Sequence, residues 1–357
     1  MRVTFVCPTV AQNGGSRVVA IYATELLARG HDVTVVARKP ASRTLKQKIM
    51  NPFGAQASPN HSAFFDELGD RFIEVDRSGP LLPEDVPDAD VVIATWWRTA
   101  FEVATFPAEK GQKLYFVQHH EVYSYLPWDL SAGSYYLPLK KITIAQWLVD
   151  TMAQNYGDTD VALVPNSVDH KHFRAPKRDK NTHPTVGLMY SPAAFKGVDI
   201  ALEAIDLVRQ KIPNVQVIAF GQTAVKPHLP LPRGAIYHRD PAQSEIPEIY
   251  ASCDAWIFSS RSEGFGLPIL EAMACRTPVV ATRAGAAPDF IKNGENGFIV
   301  EIDDSTALAH RLVDVLQRAP EDWQSMSEAA FQGVQSYSWG DATAAFEAAL
   351  QECVRSQ

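Results

Sequence analysis

Apolar and polar positions along this chain fall into two alternating kinds of segment. Short apolar runs of strand length, such as Val3–Pro8, are followed by longer stretches whose apolar residues recur at helical spacing. The first forty residues predict a β-α-β unit. The strand Val3–Pro8 leads into a loop, Ala11–Ser16, that carries Gly14-Gly15. A helix over Arg17–Arg29 stops at Gly30, and Val33–Arg38 is the next strand. Asp90–Trp97, Lys113–Gln118, Lys141–Ala145 and Val161–Pro165 read as further strands, with a helix over Trp147–Tyr156 ending at Gly157. A second series begins at the strand Thr185–Tyr190. It continues through the helix Gly197–Lys211, the strand Val215–Gly221, the short helix Pro247–Ala251 and the strand Ala255–Ser260. The helix Leu267–Cys275, the strand Pro278–Thr282 and helices over Asp304–Arg318 and Thr343–Val354 complete it. Strands without polar alternation, separated by helices, imply parallel sheets covered on both faces. The pattern therefore predicts two α/β units in tandem, joined through the polar stretch Asp169–Pro184, with a ligand in the cleft beyond the carboxyl ends of the strands.

Composition narrows the function. A length of 357 residues suits two domains, and 46% hydrophobic with 21% charged residues is ordinary for a soluble globular chain. The net charge of −8 argues against a nucleic-acid binder, which needs a cationic surface to meet phosphates. No stretch approaches the roughly 18 apolar residues of a membrane span, and the N-terminus has no signal-peptide layout. Four scattered cysteines form no C-x-x-C pair, so neither a zinc ribbon nor a disulfide framework is expected, and a reducing cytoplasm is. Between Val33 and Phe65 there is no acidic residue, while Arg38, Lys39, Arg43, Lys46 and Lys48 are basic. The segment Arg38–Phe53 reads either as a solvated surface or as a peripheral contact with anionic lipid at the inner membrane face.

The densest chemistry lies in Ser259–Glu271, SSRSEGFGLPILE. A strand ends, a loop carries Arg261, Glu263, Gly264 and Gly266, and a helix starts near Pro268, which suits a first helical turn. Glycines allow close approach of the backbone, and the helix N-terminus favours an anion such as phosphate. Glu263 and Glu271 accept hydrogen bonds only, so they suit the hydroxyls of a sugar or a ribose. The plainer alternative is a solvated Glu263 and a Glu271 that stabilises its own helix.

From Glu263 to Thr282 the sequence EGFGLPILEAMACRTPVVAT resembles the donor-site signature of the retaining glycosyltransferases of family 4, whose fold is GT-B. NGENGF at Asn293–Phe298, PNSVD at Pro165–Asp169 with Phe173, Lys196-Gly197 and the Gly14-Gly15 loop are also similar to the family, so the resemblance spans nearly the whole chain. It implies two Rossmann-like domains facing across a cleft, residues 1–172 with the C-terminal helix 340–357 and residues 173–339. It implies transfer of a hexose from a nucleotide diphosphate sugar to a hydroxyl acceptor in glycan, polysaccharide or glycolipid assembly, with no cofactor and no metal. Glu263 is then expected to hold donor-sugar hydroxyls and Glu271 the ribose, with the Gly264, Phe265, Gly266 and Leu267 backbone beside the sugar and diphosphate. Lys196 neutralises the diphosphate, and Gly14-Gly15 lies beneath it.

Two departures stand out. Ser191 falls about where the family often has an arginine, and Arg261 is the nearest substitute by sequence, either as a phosphate contact or as a surface residue beside Glu263. After the strand Lys113–Gln118 the family often has one histidine near the donor sugar; this chain has His119 and His120, and either can serve. YFVQHHE, with Trp96-Trp97 upstream, is similar to the subset that transfers rhamnose. Trp96, Trp97, Glu121 and Tyr123 are the acceptor-side candidates, and Trp128, Tyr135 and Tyr136 are either a stacking floor or loop packing. His170, His172 and His183 read as solvated linker residues, Asp289 as a helix N-terminal carboxylate, and Cys7 and Cys275 as buried small hydrophobes. The rival readings are a sugar-nucleotide epimerase on the same fold, whose product forms from donor alone, and a non-catalytic nucleotide-sugar-binding protein. A phosphorylase or a dehydrogenase is disfavoured, since no pyridoxal-phosphate lysine site matches and NGGS is no G-x-G-x-x-G.

Overall fold

The computed structural model describes residues 1–10, 13–40, 63–76 and 79–355. They form two compact units, Met1–Pro165 with Gly340–Gln357, and Asn166–Trp339.

In the first unit the elements are β1 (Arg2–Cys7), α1 (Gly14–Ala28), β2 (Asp32–Arg38), β3 (Phe72–Val75), β4 (Val91–Ala94), α2 (Trp97–Ala104) and β5 (Gln112–Val117). Then come α3 (Trp128–Gly133), β6 (Lys140–Thr143), α4 (Gln146–Tyr156) and β7 (Val161–Leu163). Among the described residues these strands make a seven-stranded sheet in the order β3-β2-β1-β4-β5-β6-β7, with every pairing parallel. Residues such as Val91–Ala94 are buried throughout, because helices cover both sheet faces.

The second unit contains β8 (Thr185–Met189), α5 (Val198–Lys211), β9 (Gln216–Gly221), β10 (Ile236–Arg239), α6 (Ile246–Ala251), β11 (Ala255–Phe258) and α7 (Leu267–Ala274). It continues with β12 (Val279–Thr282), α8 (Ala287–Phe290), β13 (Gly297–Val300), α9 (Ser305–Leu316) and α10 (Pro320–Gln335). Its sheet is also parallel, in the order β10-β9-β8-β11-β12-β13. The core is built from Val186, Leu188, Ile205, Val208, Val217, Ile257 and Leu312, with Trp323 and Met326 from α10. In both units the strand order reverses beside the first strand, at β1/β4 and at β8/β11. Loops leaving the carboxyl ends there diverge and open a crevice.

The last helix, α11 (Trp339–Arg355), packs with the first unit. Phe346 is fully buried, stacked 4.4 Å from Tyr22 and set edge-on to Phe116, and Glu347 reaches Arg29 and His31 at 3.3 and 3.0 Å. At the other end, Asn166–Phe173 belongs to the second unit: Ser167 Oγ donates to Tyr337 O at 2.7 Å and Phe173 packs against Tyr250. His170 and His172 are not simply solvated, since their rings meet Tyr337 O and Gln243 O at 3.0 and 2.9 Å.

The structure revises three expectations drawn from the pattern. Gly14-Gly15 lies in the first turn of α1 rather than in a loop, because Asn13 Oδ1 accepts from Ser16 N at 2.9 Å and starts the helix early. The strand expected over Asp90–Trp97 ends at Ala94, where Thr99 Oγ1 captures the Thr95 and Trp96 amides and turns Trp97 into α2. Pro320–Gln335 is a helix that the pattern does not predict; Trp323 anchors it, donating from Nε1 to Asp254 O at 2.9 Å.

Most of the basic segment Arg38–Phe53, from Ala41 onward, lies outside the described residues. Of its described cations, Arg38 pairs with the buried Glu102, and Lys39 with Asp76 at 2.9 Å. Among the described residues no helix is long and apolar enough to cross a membrane. Cys7, Cys253 and Cys275 are buried, and burial pushes each thiol up to about 12.

Candidate functional site

Parallel pairing of β8 with β11, in which Leu188 faces Ile257, sets the carboxyl ends of these two strands side by side. The loop after β8 runs through Ser191, whose Oγ accepts from Ala193 N, into the 3₁₀ turn Ala194–Lys196. The loop after β11 is Ser259–Gly266. The two loops touch because residue 197 is glycine. Its φ is 59°, and a Cβ there would stand 2.0 Å from Ser259 O. Ser259 Oγ donates to Lys196 O at 3.2 Å, and Arg261 N donates to Phe195 O at 2.7 Å.

This contact brings together residues 67 positions apart: Lys196 Nζ lies 2.6 Å from Glu263 Oε1, which also accepts from Ser260 Oγ at 2.8 Å. Both side chains stay partly open to solvent, 20% and 13% exposed, so the pair is reachable by a ligand. Directly beyond it Gly266, at φ 97°, turns the chain into α7, with Pro268 in the first turn. The loop is braced from behind: Ala286 N donates to Phe265 O at 2.8 Å, and Gly285 sits so close that a Cβ would be 2.5 Å from that oxygen. Glu271, buried on α7, accepts from Tyr250 Oη at 2.9 Å. A cation, two carboxylates and a helix N-terminus therefore share one sheet edge, an arrangement suited to an anionic group carrying hydroxyls.

Arg261 sits differently from a phosphate-facing cation. It is held by Asp199 and Asp303 and by the Ala194 carbonyl, and it keeps the Asp199 carboxyl below its usual range. Asp289 is in the first turn of α8.

In the first unit, Gly14 and Gly15 open α1 and Trp96-Trp97 open α2, the helices after β1 and β4 at that sheet's reversal. The segment after β5 folds back on its own unit. Glu121 Oε2 accepts from Trp97 N at 2.9 Å and lies 3.3 Å from Tyr115 Oη, so its carboxylate turns inward. Tyr135 is buried and does not form an exposed floor; its hydroxyl accepts from Glu121 N and donates to His119 O. Trp128 and Tyr136 are 66% exposed. His120 Nε2 meets Tyr156 Oη at 2.7 Å and its ring stacks on Tyr135, and burial, then His119, lowers its pKa. His119 Nδ1 meets Tyr123 Oη at 2.8 Å and its ring sits edge-on to Trp147.

Burial pushes the Glu121 carboxyl up to about 8 from 4.5. Between those values the folded chain holds a proton that the unfolded chain has released, so stability falls as pH rises through the window. Melting temperature should therefore decline from about pH 5 to pH 8, and Glu121→Gln, which preserves the neutral shape, should flatten the decline. Superimposable pH profiles for the two proteins would show that the carboxyl is ionised in the fold.

Several partners of these residues escape sequence reasoning: Ser260 for Glu263, Tyr250 for Glu271, and Asp199 and Asp303 for Arg261. Ser260 at least adjoins the Glu263 loop, and Asp199 is an acid in a first helical turn. Nothing in the spacing couples Tyr250 or Asp303 to the site.

Residues 12–172 match the family described as Glycosyltransferase Family 4, and residues 182–318 match Glycosyl transferases group 1. The chain belongs to glycosyltransferase family 4. This family 4 chain is 36% identical over 92 residues to N-acetyl-alpha-D-glucosaminyl L-malate synthase of Bacillus anthracis, covering 26% of this chain and 24% of that protein. It is 28% identical over 207 residues to an MMP alpha-(1->4)-mannosyltransferase of Mycolicibacterium hassiacum, covering 54% and 48%. The matched stretches thus span about a quarter to a half of these relatives. Among solved structures, the sucrose-phosphate synthase of Thermosynechococcus elongatus superposes with a TM-score of 0.75 at 16% identity over 100% of both chains. Anabaena HepE in complex with UDP gives 0.75 at 17% identity, over 99% of this chain and 100% of that one. At such identities the likeness is one of fold, and it places this family 4 chain in the GT-B class of two Rossmann-like units with parallel sheets.

Proposed function

We propose that the chain transfers a hexose from a nucleotide diphosphate sugar to a hydroxyl acceptor with retention of configuration. The observation that carries this reading is the Lys196–Glu263 pair, 2.6 Å apart and partly open beside the start of α7. A departing nucleotide diphosphate accumulates negative charge. A preorganised ammonium and the backbone amides at a helix start oppose that charge without having to reorganise at the moment of reaction. Lys196 and the amides of Phe265, Gly266 and Leu267 supply these groups. Glu263, whose Oε1 is held by both Lys196 and Ser260, takes the sugar hydroxyls, and Glu271, oriented by Tyr250, takes those of the ribose. Attack on the face from which the diphosphate leaves, with that phosphate as the base, needs no enzyme nucleophile.

In the first unit, Gly14 and Gly15 leave the start of α1 without side chains, which suits close approach of the donor phosphate or the acceptor. Either histidine can make the donor contact: His120 meets Tyr156 Oη and stacks on Tyr135, and His119 meets Tyr123 Oη and the Trp147 ring. Trp96 and Tyr123 are the acceptor-side residues. Trp97 and Glu121 support them from the interior. The acceptor class is a saccharide or lipid-linked saccharide. The UDP complex of HepE makes the uridine series the first donor to try.

The test is a thermal-shift and calorimetric titration with UDP, GDP, dTDP, ADP and their sugar conjugates. At a hundred times the dissociation constant a ligand adds about 2.7 kcal/mol of stability. One nucleotide series should raise the melting temperature. Glu271→Ala should abolish that rise, and Glu263→Ala should keep it while lowering transfer about a hundredfold. Absence of any nucleotide response overturns the donor reading, and normal nucleotide binding by Glu271→Ala removes that residue from the ribose.

A further inference from the structure

We infer that Arg261 is a positioning residue: with Asp199 and Asp303 it forms a clamp that holds the Lys196 turn against the Glu263 loop. The inference rests on the donor-site reading above, and goes beyond it by assigning a role to three residues that touch neither sugar nor phosphate.

The guanidinium engages three elements. Nη1 and Nη2 bind the two Asp199 oxygens at 2.9 and 2.7 Å in a fork, at the first turn of α5. Nε donates to Asp303 Oδ1 at 2.6 Å, in the loop before α9. Nη1 also donates to Ala194 O at 2.7 Å, within the turn that ends in Lys196. Four side-chain hydrogen bonds thus converge on a fork that has five N–H groups in all. The residue's own amide adds the 2.7 Å bond to Phe195 O. The Lys196 turn is therefore tied at Ala194, Phe195 and, through Ser259, at Lys196 itself.

Asp303 is held at φ 63°, a left-handed conformation that costs a non-glycine residue energy but that aspartate tolerates better than most. Its carboxylate is the group directed to Arg261, so the strained backbone and the ion pair occur at one residue. Two carboxylates already neutralise the guanidinium, which leaves the Lys196 ammonium as the cation turned to Glu263. A lysine at 261 would carry the same charge but could not grip Asp199 through two nitrogens.

The experiment separates a clamp from a direct phosphate contact. If Arg261 positions Lys196, then Arg261→Ala and Asp199→Asn both lower kcat, by about ten- to a hundredfold, with donor KM and nucleotide Kd changed less than about threefold. The double variant is then no worse than the more impaired single one, and Arg261→Lys rescues only partly. Asp303→Gly lowers kcat in the same way although it relieves the backbone. If Arg261 instead touches the diphosphate, Arg261→Ala weakens nucleotide binding at least tenfold, whereas Asp199→Asn, by freeing the guanidinium, preserves or strengthens it; that result overturns the clamp. Hydrogen exchange of the Phe195–Gly197 amides gives a readout independent of turnover. Exchange must quicken in Arg261→Ala and Asp199→Asn while β8 and β11 stay protected, and unchanged exchange also overturns the clamp. A wild-type chain that binds no nucleotide, yet shows this faster exchange in the variants, overturns the donor-site reading and leaves the clamp standing as a structural device.

Discussion

Lys196→Ala should lower the turnover of sugar transfer by about a hundred- to a thousandfold, the scale seen when one preorganised group facing developing charge is removed. Nucleotide affinity should fall much less, because the ribose contact is proposed for Glu271, which Tyr250 orients, and not for Lys196. Two consequences of the substitution add together. The ammonium proposed to oppose the diphosphate is gone, and Glu263 loses its partner 2.6 Å away. Lys196→Arg should recover little, since a planar fork fills the space of a compact ammonium poorly. Steady-state kinetics together with nucleotide titration decide the matter: equal losses in kcat and in nucleotide affinity would mean that Lys196 serves ground-state binding, and unchanged kcat would remove it from the site.

Gly187→Ala should strongly destabilise the second unit, although it lies away from the loops of the site. A Cβ on Gly187 would stand 2.3 Å from the Trp256 ring and 2.6 Å from Cys253 Sγ. Trp256 is fully buried, packed edge-on to Tyr250 at 4.5 Å and near Phe220, so it has no room to retreat. Overpacking of this kind costs about 3 kcal/mol, which in a unit of this size lowers the melting temperature by roughly 6–12 °C. Any surviving folded protein should show reduced nucleotide affinity as well, because Tyr250 both contacts Trp256 and orients Glu271. Differential scanning calorimetry measures the first effect. A loss under about 1 kcal/mol would show that the β8/β11 contact can expand.

Much of the fold was legible in the sequence because its signals are local. Strands buried on both faces appear as unbroken apolar runs, and Gly30 and Gly157 mark helix ends through backbone conformations that other residues avoid. Trp97 was harder to place: it continues an apolar run, yet Thr99, two residues on, captures the amides that would have extended the strand. Helix α10 carries Pro320 and two acids in its first turn, but its identity depends on Trp323 finding the Asp254 carbonyl 69 positions away. The two histidines were indistinguishable by position, and the partners that hold them, Tyr156 for His120 and Trp147 for His119, both come from α4.

By itself, the sequence determined the α/β class, the chemistry available at the carboxyl edges of the strands, and the family to which the chain belongs. Tertiary structure alone decided which of those groups meet. Lys196 finds Glu263 because β8 and β11 pair in parallel where the strand order reverses, and because Gly197 lets their loops close to contact. The same contact turns Arg261 from a candidate phosphate ligand into a residue held by Asp199 and Asp303, 62 and 42 positions away. Pairing order in a parallel sheet is set by crossover connections and by the burial of both faces. No residue carries that information in its own neighbourhood.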